Sequence, residues 1–528
     1  MKKLFVGNIL TMAEPLYASA LLVEDGRIVD VGNKQVLCSR HLDADVIEFE
    51  GTLMPAFIDA HGHFTMTAAQ SAQASVYGAK SVADMRDKLT RYISEHNIMP
   101  GEWIVANNYD QSLLDGYKNP SLEEIDSLTP KNPLVLRHKS CHMALFNSAA
   151  LGIIGIDANA AVANANIETR DGALTGYLSE GAYSAAMAKV PRQSLENIYS
   201  AYKKTEKMYA SYGITTVQDG FIGERELALY DMLISDGGPA LDIIAYVGGP
   251  AAHARLSDRL GMYGKDSRIH IGGIKYLLDG SPQLRTAWVR MPYIDGNCYR
   301  AARTDEAVCD AFRYAAKNEL QIIIHANGDA AIEQFLRCLC EVEQEYPILR
   351  KLRPVIIHAQ LMGHDQIPRA RELGAVVSFF AAHCYHWADT HIRNLGYERA
   401  QYISPVASAL REGVLYTFHQ DSPVIRPDML ETVWCAVSRT TREGKRLSED
   451  ERISVLDALA AVTKNAAYQY FLEDELGTLE LGKYADMVLL DKDPLKTDIE
   501  CIRDISVEAT YKRGECIFSR AESEGNSR

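Results

Sequence analysis

The stretch LMPAFIDAHGHF, residues 53–64, sets a short apolar run directly before two histidines, His61 and His63, with one glycine between them. The His-x-His pattern alone carries little weight, because 15 histidines in 528 residues supply about 0.4 such pairs by chance. Its placement carries more. Leu53 to Ile58 read as a buried strand, and alternation along it sets Asp59, His61 and His63 on one face while Ala60 and Gly62 keep the other small. Two imidazoles at a strand end make a start on a metal site, so the rest of the chain has to supply the other ligands.

Working outward, seven further runs share the texture of the first. They are GITTVQDG (213–220), LDIIAYVGG (241–249), IHIGGIKYLLDG (269–280), LQIIIHANGD (320–329), RPVIIHAQ (353–360), GAVVSFFAAH (374–383) and GVLYTFHQDSPV (413–424). Each is short, rich in β-branched residues and closed by polar or small ones, and helix-like segments such as DAAIEQFLRCLCEVEQEY (329–346) separate most of them. Eight such strands alternating with helices predict an α/β chain with a (β/α)₈ TIM-like barrel over residues 53–467. More than 140 residues separate the first run from the second. The expectation there is a large insertion, approximately residues 70–205, over the barrel mouth, where such folds place their specificity loops.

Residues 1–52 and 468–528 have a different texture, of short strand-like pieces with turns between them. Asp25-Gly26 between two alternating runs is a strong hairpin signal. Neither end is long enough to stand alone, so the expectation is one small β-sandwich domain assembled from both termini.

A net charge of −15 and no cluster of Lys and Arg argue against nucleic acid as a partner. Ten cysteines without a Cys-x-x-Cys pair suit free thiols in a reducing compartment. The N-terminal apolar run is broken by Gly7, Asn8 and Glu14, which makes a poor signal peptide, and no stretch of 18 apolar residues offers a membrane span. The expected setting is cytoplasmic, with a small molecule as substrate and no membrane partner. A homodimer is left open.

On the barrel frame, chemistry-bearing residues collect at the C-terminal ends of the strands, where barrel sites belong. His61 and His63 follow the first strand, Lys275 lies on the fourth, His325 ends the fifth, His358 the sixth, and Asp421 follows the eighth. Neutral imidazoles with a carboxylate suit a borderline divalent cation, most simply Zn²⁺, and this set can hold one or two ions. An ammonium repels such an ion, so Lys275 joins the set only as an N-carboxylated, anionic carbamate.

The sequence resembles the amidohydrolase superfamily, and within it the family-3 branch that includes N-substituted formamide deformylase. The resemblance rests on MPAFIDAHGHF, LFNSAALGIIGI, LTGYLSEGAY, GITTVQDG, GGIKYLLDGS, IIIHANGDAAI, VIIHAQ, DSPV and LGTLELGKYADMVLLDKDPL, in that order along almost the whole chain. It implies a metal-dependent hydrolase in which His61 and His63 bind a buried ion and His325 and His358 a more exposed one. Asp421 would contact metal and water, and Lys275 stands where two-metal members carry a carboxylated lysine. FHQDSPV puts His419 and Gln420 where a Gly-Ser pair is more usual, a change that resembles a sub-branch named exoenzyme regulatory protein. Arg285 in DGSPQLRTAW departs from the usual Gly-Ser-Arg arrangement.

The expected reaction is hydrolysis of an amide-like, N-acyl, N-formyl or cyclic amide C–N bond by metal-activated water, with Asp421 as acid and base and His142 beside the substrate carbonyl. Glu180, Asp110, His383 and His419 are candidate substrate contacts. A capping role competes for Glu180, a turn role for Asp110 and a plain helix start for His142. Two other readings use the same fold: a deaminase or cyclic-amidine hydrolase, and a metal-binding regulatory protein without turnover.

Overall fold

A computed structural model describes residues 2–164, 166–264 and 267–525. Eight parallel strands lie side by side in sequence order: β1 (Phe57–Ile58), β2 (Ile214–Ile222), β3 (Asp242–Val247), β4 (Ile269–Leu277), β5 (Gln321–Ala326), β6 (Val355–His358), β7 (Val376–Phe379) and β8 (Tyr416–Phe418). Runs such as QIIIHA, VIIH and VVSF are buried along their whole length. Continuous apolar character is what a parallel strand covered on both faces requires. The sheet curls until its two ends meet: the Asp421 N–H donates to the His61 carbonyl at 3.3 Å and the His63 N–H to the Ser422 carbonyl at 2.8 Å. Inside, Ile58, Ile244, Tyr246, Ile323, Val355, Ile357 and Val376 pack with Ala466, Ala467, Tyr470 and Leu476 of the later chain.

The first strand is shorter than its apolar run. Leu53 and Met54 belong to the strand Asp45–Pro55, which pairs with Met487–Leu490 in a different sheet. Pro55 has no N–H to continue the ladder, and the chain changes sheets there: the Ala56 N–H donates to Asp486 and the Phe57 N–H to Gly213.

That second sheet joins both ends of the chain as seven strands, in the order Glu515–Ser519, Val507–Lys512, Met487–Leu490, Asp45–Pro55, Lys2–Leu10, Tyr17–Glu24, Arg27–Gly32. Alternation splits its apolar residues between two faces. Phe5, Leu21 and Val23 pack with Leu53 and Met487, whereas Leu4, Val6, Ala20 and Leu22 pack with Leu37 of the helix Lys34–Arg40. The Asp25-Gly26 turn has φ of 50° and 81°, the pair of positive angles that a tight hairpin needs. Lys512 fixes this sheet to the barrel, since its buried ammonium lies 2.6 Å from Asp486 and also bonds Asp242 on β3. Barrel and terminal sheet together form one compact unit.

Thr65–Lys203, which enters between β1 and β2, forms a second compact unit together with Pro423–Ile425. It has its own six-stranded sheet and a core around Phe146, Leu151, Leu178 and Tyr183. Among the described residues no helix is long and apolar enough to cross a membrane.

At Gly273 the backbone of β4 runs close against Gln321 of β5. The glycine's φ is 151°, and a Cβ built on it would collide with the Gln321 carbonyl oxygen, which is backbone and cannot step aside. Gly273→Ala is expected to destabilise the barrel by about 1–3 kcal/mol, read as a lower thermal midpoint. Gly261→Ala should leave the midpoint within about a degree, because Gly261 has ordinary helical angles and no heavy atom near its Cβ position; equal midpoints for the two variants would contradict the packing argument.

Candidate metal centre

The meeting of the sheet edges brings the first and last candidate ligands together. His61, His358 and Asp421 each place one donor atom within 4.8 Å of the others. Asp421 Oδ1 lies 3.5 Å from Nε2 of both His61 and His63, and Asp421 Oδ2 lies 4.0 Å from His358 Nε2. His325 Nδ1 lies 3.1 Å from His358 Nε2, and Lys275 Nζ lies 3.0 Å from His61 Nε2. The six residues named as ligands from the strand ends therefore converge on one place.

Hydrogen bonds behind the imidazoles decide which nitrogen faces inward. His61 Nδ1 bonds Gln218 Oε1 on β2. The orientation of that amide is set by its Nε2, which donates to the Ala60 carbonyl at 3.0 Å and to the Tyr470 hydroxyl at 2.9 Å. The His61 proton is thus on Nδ1, and Nε2 keeps its lone pair for the site. His325 Nε2 donates to the Gly280 carbonyl at 3.0 Å, so its Nδ1 likewise points a lone pair inward. Asp279 sits beneath it, 3.6 Å from His325 Nε2, and accepts the Asn327, Gly328 and Trp288 N–H groups.

Burial completes the donor chemistry. It holds His61 well below the usual imidazole range, with Lys275, His419 and His63 adding to the shift. Burial does the same to His358, helped by His325 and His419. Neutral imidazoles are the form that binds metal. Burial also brings the Lys275 ammonium down to about 7, against the opposing pull of Asp421. Asp59, wholly buried and accepting the His61 N–H at 3.4 Å, is pushed well above the carboxylate range by burial, with the charge of Asp421 adding to the shift. Lone pairs on neutral nitrogens, a carboxylate among them and an amine near neutrality are a donor set that fits a divalent cation of borderline softness.

Two members of the set hold strained backbone. His358 has φ of 76° and Asp421 of 53°, in the left-handed region that costs a non-glycine residue about 1–3 kcal/mol. His358 is the last residue of β6 and Asp421 follows β8 by three residues, so in both the backbone turns at a strand end and re-aims the side chain.

The candidate substrate contacts are placed as follows. His142 and Glu180 meet inside the inserted unit, His142 Nδ1 lying 3.1 Å from Glu180 Oε2. Asp110, in the same unit, forms a buried 2.7 Å ion pair with Lys139 and accepts the Ser112 N–H. Burial works to raise its pKa, but Lys139 and His138 outweigh burial and hold the carboxyl well below its usual range. His383 is buried at the start of the short helix His383–His386, four residues after β7, its Nδ1 3.0 Å from His391 Nε2 with the two rings stacked. His419 is buried at the end of β8 beside His358. Arg285, exposed, pairs with Asp295 at 2.7 Å.

Gln218, Ser378 and Tyr470 are parts of the site that the sequence reading passed over. The available signal was a polar residue inside an apolar strand run: Gln218 in ITTVQDG and Ser378 in VVSF. Such a residue must find a partner within the barrel.

A family model described as the amidohydrolase family matches residues 50–518. The chain is 28% identical over 529 residues to the N-substituted formamide deformylase of Arthrobacter pascens, covering 96% of each chain. It is 24% identical over 425 residues to the exoenzymes regulatory protein AepA of Pectobacterium carotovorum, covering 76% of this chain and 89% of that protein. Among solved structures, an uncharacterized metal-dependent hydrolase from Pyrococcus horikoshii matches the fold with a TM-score of 0.76 at 24% identity, over 95% of this chain and 99% of that one. Both names in the motif resemblance thus recur among its relatives.

Gln218→Leu removes the acceptor that holds His61 while keeping a side chain of similar size. Zn²⁺ affinity, measured by competition with a chelator, should fall by about 10–100-fold; an unchanged affinity would show that His61 is not a ligand oriented in this way.

Proposed function

The chain belongs to the amidohydrolase family, and on that premise we propose that it is a metal-dependent hydrolase that cleaves an amide-like C–N bond of a small molecule. The bond class extends to N-acyl, N-formyl and cyclic amides. The observation that carries the reading is the convergence of His61, His358 and Asp421 within 4.8 Å at the closed end of the barrel.

We assign His61, His63, His325, His358 and Asp421 as the residues that would hold one or two divalent cations, Zn²⁺ first among them, with Lys275 joining as a carbamate. A cation bound there supplies a Lewis acid for the substrate carbonyl and lowers the pKa of water from 15.7 toward about 7. Asp421 lies against His61, His63 and His358 and is less buried than His61 and His358, so it is the group that can exchange protons with an incoming molecule. It accepts the proton of the attacking water and returns it to the departing nitrogen, which otherwise leaves as a poor anion. Gln218 and the Gly280 carbonyl keep the imidazoles of His61 and His325 from rotating. Lys275, brought down to about 7, has at neutral pH a substantial share of the uncharged amine, the form that adds carbon dioxide.

Asp421→Asn should retain most of its metal and lose turnover by about 10²–10⁴-fold, assayed on a panel of formamides, N-acyl amines and lactams. Full activity in this variant would remove Asp421 from proton transfer. Ammonia release from amino-heterocycles, without cleavage on the amide panel, would replace the proposal with a deaminase. Stoichiometric metal with no turnover on either panel would leave a regulatory protein.

The carbamate has a separate test. Chain stripped of metal and reloaded in ¹³C-bicarbonate is expected to show a carbamate carbon signal that Lys275→Ala lacks, with lower metal content in that variant. Equal metal content and no such signal would leave Lys275 as a plain amine.

A further inference from the structure

His419 takes no part in the chemistry proposed above, yet it is one of the most constrained side chains near the site. It lies two residues before Asp421 and has no solvent exposure, so a substrate cannot reach it without the site opening. Its Nε2 lies 3.0 Å from His358 Nδ1, and its Nδ1 lies 2.8 Å from the Ser378 hydroxyl, which is equally buried. The three residues come from β6, β7 and the end of β8, adjacent strands whose ladders pair His358 with Phe379 and Ser378 with Thr417. Their spacing is therefore set by backbone rungs.

Proton bookkeeping gives this row a direction. A neutral imidazole carries one N–H. For His358 to turn a lone pair on Nε2 toward Asp421 and His325, its proton must sit on Nδ1. That N–H is buried and needs an acceptor, and His419 Nε2 is the atom at hydrogen-bond distance. His419 then carries its own proton on Nδ1 and donates it to Ser378 Oγ. Each assignment forces the next, so the row presents His358 in one tautomer and one ring orientation.

We propose that His419, held by Ser378, is a positioning residue that commits His358 to its metal-binding tautomer and thereby sets the affinity of the centre. The inference rests on the metal reading above and gives a purpose to the histidine that replaces the smaller residue expected from the family resemblance. A packing role would look different. The ring of His419 lies 5.2 Å from those of both His61 and Phe380, and a phenylalanine would fill the same space without accepting a proton.

The test uses the full chain, stripped with a chelator and titrated with Zn²⁺ and with Co²⁺ against a competing chelator, alongside the thermal midpoint of each metal-free protein. His419→Phe should bind about 10–100-fold more weakly and alter the visible Co²⁺ spectrum, with its metal-free midpoint close to the parent's. His419→Gln, whose Oε1 can accept the His358 proton, should recover most of the affinity, and Ser378→Ala should show a smaller loss. A parent chain that binds neither ion would defeat the metal reading itself. A parent that binds, with a His419→Phe variant of equal affinity and spectrum, would defeat the positioning role alone. Should His419→Phe fail to fold, unchanged affinity in Ser378→Ala overturns the proposal.

Discussion

The interaction on which the site depends is the pair of backbone hydrogen bonds that joins the two edges of the parallel sheet, Asp421 N–H to the His61 carbonyl and His63 N–H to the Ser422 carbonyl. An open parallel sheet would keep its first and last strands far apart. Closing it puts residues 61–63 against residues 421–422, and these carry three of the candidate ligands. The closure is made by main chain, so it does not depend on the side chains it brings together and leaves them available for chemistry. β1 has only two residues and β8 three, so the edges meet largely through the turns that follow them.

A site built on this seam has to bury polar groups, and burial is tolerated only where each group has a partner. The arrangement is layered. The inner nitrogens of His61, His325 and His358 face one another and Asp421, and a ring of acceptors behind them, Gln218 Oε1, the Gly280 carbonyl and His419 Nε2, takes the outward N–H groups. Tyr470 and Ala60 in turn orient Gln218. The positive φ angles of His358 and Asp421 add a cost that the barrel core supports from below. The barrel therefore holds these side chains in a geometry that a short loop would not keep.

The long interval after β1 is a compact unit with its own sheet and core, and it treats its polar residues in the same way. His142 and Glu180, named independently from the sequence, form a pair, and Asp110 is matched by Lys139. Local reading could nominate these residues but not their partners. His142 and Glu180 are 38 positions apart and meet because the turn after one strand and the start of one helix lie together.

What the sequence determined by itself is the order and type of the barrel elements and the residues at their ends. Apolar runs with strand periodicity, the Asp25-Gly26 turn, His61, His63, His325, His358 and Asp421 at run boundaries, and Lys275 within a run are local facts, legible because strand burial and turn geometry are encoded within a few residues. The tertiary structure alone decided that Leu53–Pro55 belongs to the terminal sheet, that Gln218 serves His61 across 157 positions, and that His419 is buried between His358 and Ser378. These pairings join positions far apart in sequence through backbone register and closure of the sheet. No pattern of residue types along the chain specifies which buried donor will find which acceptor, because that choice is made only when the strands are brought side by side.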